Sequence, residues 1–133
     1  MLNIQPLTKQ DLTSKYLDVS LDFLTDIRDS IVKKFQKFEQ EHTTIEERCW
    51  ENAFTVVYDS KAKANILTIR YITWDNTDKE EFIEKLSHYF TMNVAHFWDI
   101  LPNVIFKVKS KKEDSYDLYA YKMIRRNPIL LKL

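Results

Sequence analysis

The chain has 133 residues and no glycine, and its 20 basic residues balance 20 acidic ones. That length fits one domain able to bury a core without disulfide or metal staples. Ordinary usage would give about nine glycines. Their absence excludes the Gly-rich P-loop, the dinucleotide-binding Rossmann turn and the G-x-S-x-G nucleophile elbow, which all need backbone without a Cβ.

Aromatic residues make up 14% of the chain, which argues against disorder. No run approaches ~18 apolar residues, so neither a membrane span nor a membrane partner is expected. Residues 1–12 show no signal-peptide core. The single cysteine, Cys49, cannot form an internal disulfide, and a reducing, cytoplasmic setting is the expectation.

Residues 7–20 read as a lead-in, with Thr8 and Asp11 as a loose capping signal for a short first turn. A long helix follows. From Leu17, apolar residues fall at Leu21, Leu24, Ile27, Ile31, Phe35 and Phe38, spacings of three and four that share one helical face. Phe23 and Val32 are expected to widen that face enough to pack on a sheet. The helix should end near residues 42–44 or continue irregularly through 45–50.

Residues 54–59 and 66–74 are β-branched and aromatic, and predict a hairpin. The polar connection 60–65 supplies Asn65 for the awkward turn position. Thr77, Asp78, Lys79 and Glu80 read as a capping box with Thr77 as the cap. The helix it opens should bury Phe82, Ile83, Leu86, Phe90, Val94 and Phe97 and stop before Pro102. A second hairpin pairs 104–109 with 116–124 across a polar turn at 110–115. The apolar end, 127–133, is expected to dock on the body, because exposed leucines would be sticky.

The order αββαββ predicts a single α+β domain over 1–133. Its simplest packing is a four-stranded, mainly antiparallel sheet with both helices on one face.

No set of residues converges on catalysis. Glu84 and His88 lie one helical turn apart, but with His42 and His96 they do not make a tetrahedral zinc set. Cys49 beside Arg48 reads as a small apolar residue. Glu80, Glu81 and Glu84 sit where acids suit a helix dipole. No metal, cofactor or catalytic residue is therefore expected. A pocket around His88, Tyr71 and Trp98 is what an enzyme would require.

Charge is uneven along the chain. Residues 103–133 carry eight Lys/Arg against three acids, so the C-terminal hairpin is basic. Its candidate binding residues are Lys107, Lys109, Lys111, Lys112, Tyr119, Tyr121, Lys122, Arg125 and Arg126. Lysines can neutralise phosphates while tyrosines stack on bases, which suits single-stranded nucleic acid. Tyr, Trp, Met and Arg equally suit protein interfaces, and the strand around residues 119–123 could serve as an edge for strand addition. The expectation is a non-enzymatic protein-binding module: an adaptor, inhibitor, immunity factor or secretion accessory. Its glycine-free, Lys-, Asp- and Ile-rich composition has the style of a phage or mobile-element protein. Homodimerisation fits the same features, and nucleic-acid binding is the alternative.

Overall fold

A computed structural model describes residues 5–6, 16–44, 50–74 and 77–133. The capping signal at Thr8 and Asp11 and the segment containing Cys49 lie outside these residues.

Helix α1 spans Leu21–His42. Ser20 sets its start: the hydroxyl accepts from Phe23 N at 3.1 Å and the carbonyl from Leu24 N, which is how a short hydroxyl side chain satisfies first-turn amides. Leu24, Ile27, Ile31, Phe35 and Phe38 are buried as the spacing predicts. Phe23 does not join them and is 42% exposed, because one residue is about 100° of helical rotation and carries it off the core face.

A two-residue strand, β2 (Thr43–Thr44), and a single turn, α2 (Trp50–Ala53), lead to the first hairpin. Strand β3 (Phe54–Asp59) pairs with β4 (Ala64–Thr73) in a register running from Phe54 opposite Ile69 to Asp59 opposite Ala64. At the turn, Asp59 Oδ1 accepts from Lys61 N and Ala62 N at 2.9 and 3.1 Å. The left-handed position falls on Lys63 (φ 54°) and not on Asn65. Asn65 lies within β4 and donates to Val19 O at 2.8 Å.

Helix α3 spans Lys79–Asn93, and its cap is Asp78, one residue later than the capping box placed it. The Asp78 carboxylate accepts from Glu80 N at 2.9 Å. The helix expected to run on to Phe97 breaks at Val94, and His96 takes a left-handed conformation (φ 67°). A 3-10 helix, Phe97–Asn103, then contains Pro102. Val94 and Phe97 still reach the core.

Strands β5 (Val104–Ser110), β6 (Asp117–Ile124) and β7 (Asn127–Lys132) complete the chain. The long strands lie in the order β7-β6-β5-β4-β3, with β1 (Gln5–Pro6) against β7 and β2 along the same edge of β4 as β3. The fold is α+β, but the expected four-stranded, mainly antiparallel sheet is corrected in two ways. The first concerns β4 and β5, which are parallel, Leu67 opposite Val104 through Thr73 opposite Ser110. The connection between them, α3 plus the 3-10 helix, is long enough for the crossover that parallel neighbours require. The second is the apolar C-terminus, which docks as a fifth long strand after a two-residue turn.

Side chains alternate across the sheet. One face presents Phe54, Leu67, Ile69, Tyr71, Val104, Phe106, Val108, Tyr119, Tyr121 and Leu130, all buried in one cluster with α1 and α3. Helices α1 and α3 therefore cover the same face. Phe35 is a hub of this core, with ring centroids 4.8 Å from Tyr71, 5.3 Å from Phe90, 5.4 Å from Phe38 and 5.6 Å from Phe54. The opposite face carries Thr55, Val57, Ile66, Thr68, Arg70, Ile105, Lys107, Lys109, Leu118 and Lys122, and none of the described helices lies on it.

Candidate functional site

The candidate binding residues divide between two faces and two turns. Lys107 and Lys109 lie on the face away from the helices, where Lys107 pairs across from Arg70 and Leu118. Lys122 shares that face. Tyr119 and Tyr121 point the other way, into the core, at 0% and 6% exposure. They offer no base-stacking platform, because the strand's alternation of side chains puts them behind the lysines. Lys111 and Lys112 lie in the β5–β6 turn and are exposed, as are Arg125 and Arg126 in the β6–β7 turn.

The aromatic partners of the basic residues lie elsewhere. The Lys109 ammonium sits 5.1 Å from the ring centroid of Tyr116, and the Arg70 guanidinium is 5.4 Å from the same centroid. Lys111 lies 5.2 Å from the centre of Trp74. These distances are within cation–π range. Arg70 and Tyr116 were not foreseen as members of the basic group. Arg70 comes beside Lys107 through the parallel pairing of β4 with β5, a contact between the two hairpins that neither hairpin specifies by itself.

The strand expected to offer an edge is interior. β6 is paired on both sides, with β5 from Ile105 opposite Ala120 and with β7 from Tyr121 opposite Leu130. The exposed edge is β3. Among the described residues β3 pairs with β4 alone. Residues 55–58 read Thr-Val-Val-Tyr, and Val57 and Tyr58 are 57% and 62% exposed. Natural edge strands are usually blunted by charge, proline, a bulge or a covering element, and this stretch has no charge and no proline. A cleft of about 510 Å³ adjoins it, lined by Val57, Tyr58, Lys61, Ile66, Ile105 and Lys107 among others. The signal was present in the sequence as an uncharged β-branched run. What could not be read was that no described strand would pair with its outer side.

Two further sites have defined polar geometry. Tyr121 Oη hydrogen-bonds Ser87 Oγ within the core; burial pushes the phenol up from its ordinary range, and the bond to Ser87 only partly offsets this. At one end of the sheet, Lys79 donates to Asp117 at 2.8 Å and also to Glu113, while Lys132 lies 3.4 Å from Asp117. Tyr71, His88 and Trp98 do not assemble into a pocket. Tyr71 is sealed among Phe35, Phe54 and Phe82. His88 lines a surface groove with Lys37, Glu41 and Tyr89. Trp98 is 46% exposed and donates to Thr91 O at 2.9 Å.

Scans of the chain against protein-family models, curated proteins and solved structures give no match.

Proposed function

We propose that the chain is a non-enzymatic protein-binding module that takes an extended segment of its partner as an added strand on β3. The observation that carries this reading is the uncharged edge at residues 55–58, whose Val57 and Tyr58 stand in solvent. An open edge supplies main-chain donors and acceptors for affinity, and side-chain pockets beside it supply specificity. The cleft between Val57 and Lys107 is placed to receive side chains from such a segment, and Lys61 and Lys107 there, against the single carboxylate of Asp59, favour an acidic one. A second copy of the chain pairing β3 with β3 is the homodimeric form of the same reading.

The test is capture by the immobilised chain, identification of the captured protein, and repetition with Val57→Lys. The side chain is more than half exposed, so the fold survives the change, while a charge in the new strand pair weakens binding by about tenfold or more. A chain that captures nothing and stays monomeric contradicts the proposal. So does a partner, or a dimer, indifferent to Val57→Lys.

Nucleic-acid binding remains the second reading, favoured by one observation: Arg70, Lys107, Lys109 and Lys122 share one sheet face on which Asp59 is the one acid among the described strand residues. With Tyr119 and Tyr121 turned inward it reduces to phosphate contact. It predicts oligonucleotide binding without base preference that falls steeply with salt.

A further inference from the structure

A polar cleft of about 480 Å³ lies at the sheet end, between the start of α3, the β5–β6 turn and the end of β7. Its walls include Asp78, Glu80, Glu113 and Asp117, set against two ammonium groups, Lys79 and Lys132. Acids at the start of a helix are ordinary, and paired charges of this kind are usually structural. Tyr119 is what the ordinary account leaves over. Its side chain is fully buried, lines this cleft, and carries a hydroxyl without a hydrogen-bond partner. An unpaired buried hydroxyl gives up its hydration with no bond in return, so it calls for a ligand that completes it.

The sign of that ligand follows from the charges. Burial raises the Tyr119 phenol above its ordinary value, and Asp117, Glu80, Asp78 and Glu113 raise it further. The hydroxyl thus sits in a negative field and stays neutral, able to accept as well as donate. An anion would face four carboxylates. An ammonium would meet a carboxylate pair and a phenol oxygen, which is a full set of acceptors for its three protons. Lys79 already places its own ammonium between Glu113 and Asp117, and its side chain is 15% exposed.

We propose that this cleft is a receptor for a primary ammonium group, such as a lysine side chain of a partner or a small amine, with Lys79 as its internal occupant. The Lys79 ammonium leaves Tyr119 Oη unpaired, so an incoming ammonium displaces Lys79 from Glu113 and Asp117 and seats nearer the phenol, where its remaining proton goes to Tyr119 Oη. This is independent of strand addition at β3, which lies at the far edge of the sheet.

The experiment is an NMR titration of the full chain with N-acetyl-lysine methylamide, reading amide shifts. N-acetyl-norleucine methylamide and inorganic phosphate serve as parallel probes. The expected result is saturable shifts at residues 77–80 and 113–119 with the lysine probe alone. Tyr119→Phe, which changes no charge, should weaken binding about fivefold, the size of one hydrogen bond. Glu113→Gln should weaken it more than Asp99→Asn, which removes an equal charge away from the cleft. Lys79→Met should tighten it more than Lys85→Met, which removes an equal charge further along the same helix. No shift in the tens-of-millimolar range overturns the proposal, as do equal shifts with phosphate or norleucine. An affinity untouched by both Tyr119→Phe and Glu113→Gln, with the spectra of both variants otherwise intact, also overturns it.

Discussion

Asn103 and Leu17, 86 residues apart, are joined by a reciprocal pair of hydrogen bonds: Leu17 N donates to Asn103 Oδ1 at 2.7 Å, and Asn103 Nδ2 donates to Leu17 O at 2.8 Å. The same amide nitrogen donates to Asn65 O at 2.8 Å. A side-chain amide here does the work of a strand partner. It ties the approach to α1 onto the start of β5 and, through Asn65, onto β4. Asn103 is fully buried and Leu17 is half-exposed, so the network is anchored from the core side.

Asn103→Ala should therefore destabilise the fold by about 2–4 kcal/mol, because it removes three hydrogen bonds at once and leaves the Leu17 amide without its acceptor, while the Leu17 carbonyl keeps Val19 N. Urea unfolding would show this as a lower midpoint with an unchanged slope. A loss below about 0.5 kcal/mol, the range of an ordinary surface substitution, would mean that the network is incidental.

Two buried tyrosines give a sharper contrast. Tyr71 keeps an unpartnered hydroxyl inside an aromatic cage, whereas Tyr121 bonds Ser87. Tyr71→Phe should be neutral or stabilising, because it removes a desolvated group that gains nothing. Tyr121→Phe should cost about 1–2 kcal/mol by leaving Ser87 unpaired. Thermal unfolding of the two variants side by side checks the order, and equal losses would contradict it.

The β6–β7 turn places Arg125 and Arg126 at φ 50° and 68°, both central positions of a two-residue hairpin loop. Such turns favour Asn-Gly, since L-residues with a Cβ lose about 1–2 kcal/mol in the left-handed region. Replacing the pair with Asn-Gly should raise stability by roughly 1 kcal/mol, read as a higher Tm. A lower Tm would mean that the arginines hold the turn through contacts of their own.

Most of the fold is readable from the residues, and the parts that are not have identifiable causes. Helix α1 and the two hairpins follow from periodicity that burial enforces, and Leu24, Ile27, Ile31, Phe35 and Phe38 lie where spacing puts them. The parallel join of β4 to β5 is not local. It depends on where α3 and the 3-10 helix return the chain, and no residue in either strand encodes that direction. Without glycine, turn chemistry is also a weak guide: Lys63, His96, Arg125 and Arg126 take the left-handed positions, and of these only histidine is a type enriched there. For the candidate site, the basic residues were legible, but their side of the sheet was not. Tyr119 and Tyr121 went inward because the lysines on the neighbouring strand face outward in the opposite phase.

The Lys79–Asp117 pair sets a pH dependence. Partial burial works against both charges, but the hydrogen bonds and opposite charges outweigh it: Asp117 is held below its ordinary 3.8 by Lys79 and Lys132, and Lys79 above its ordinary 10.5 by Asp117 and Glu113. A lowered carboxylate stabilises the fold above its unfolded value and ceases to as pH falls through the folded one. A raised ammonium stabilises below its unfolded value and ceases to as pH rises through the folded one. The urea midpoint of Asp117→Asn should thus lie below that of the wild type across about pH 5–9 and converge with it towards about pH 2–3. A gap that persists in acid would assign the loss to packing.

The reading as a protein-binding module stands on β3 being an open edge, and amide hydrogen exchange on the isolated chain tests this directly. Amides of residues 55–58 that point away from β4 should exchange rapidly, alternating with protected ones, while Leu67, Ile69 and Tyr71 of β4 exchange only on global unfolding. Uniform protection along β3 would show that its outer side is already occupied, and strand addition there would have no place to occur.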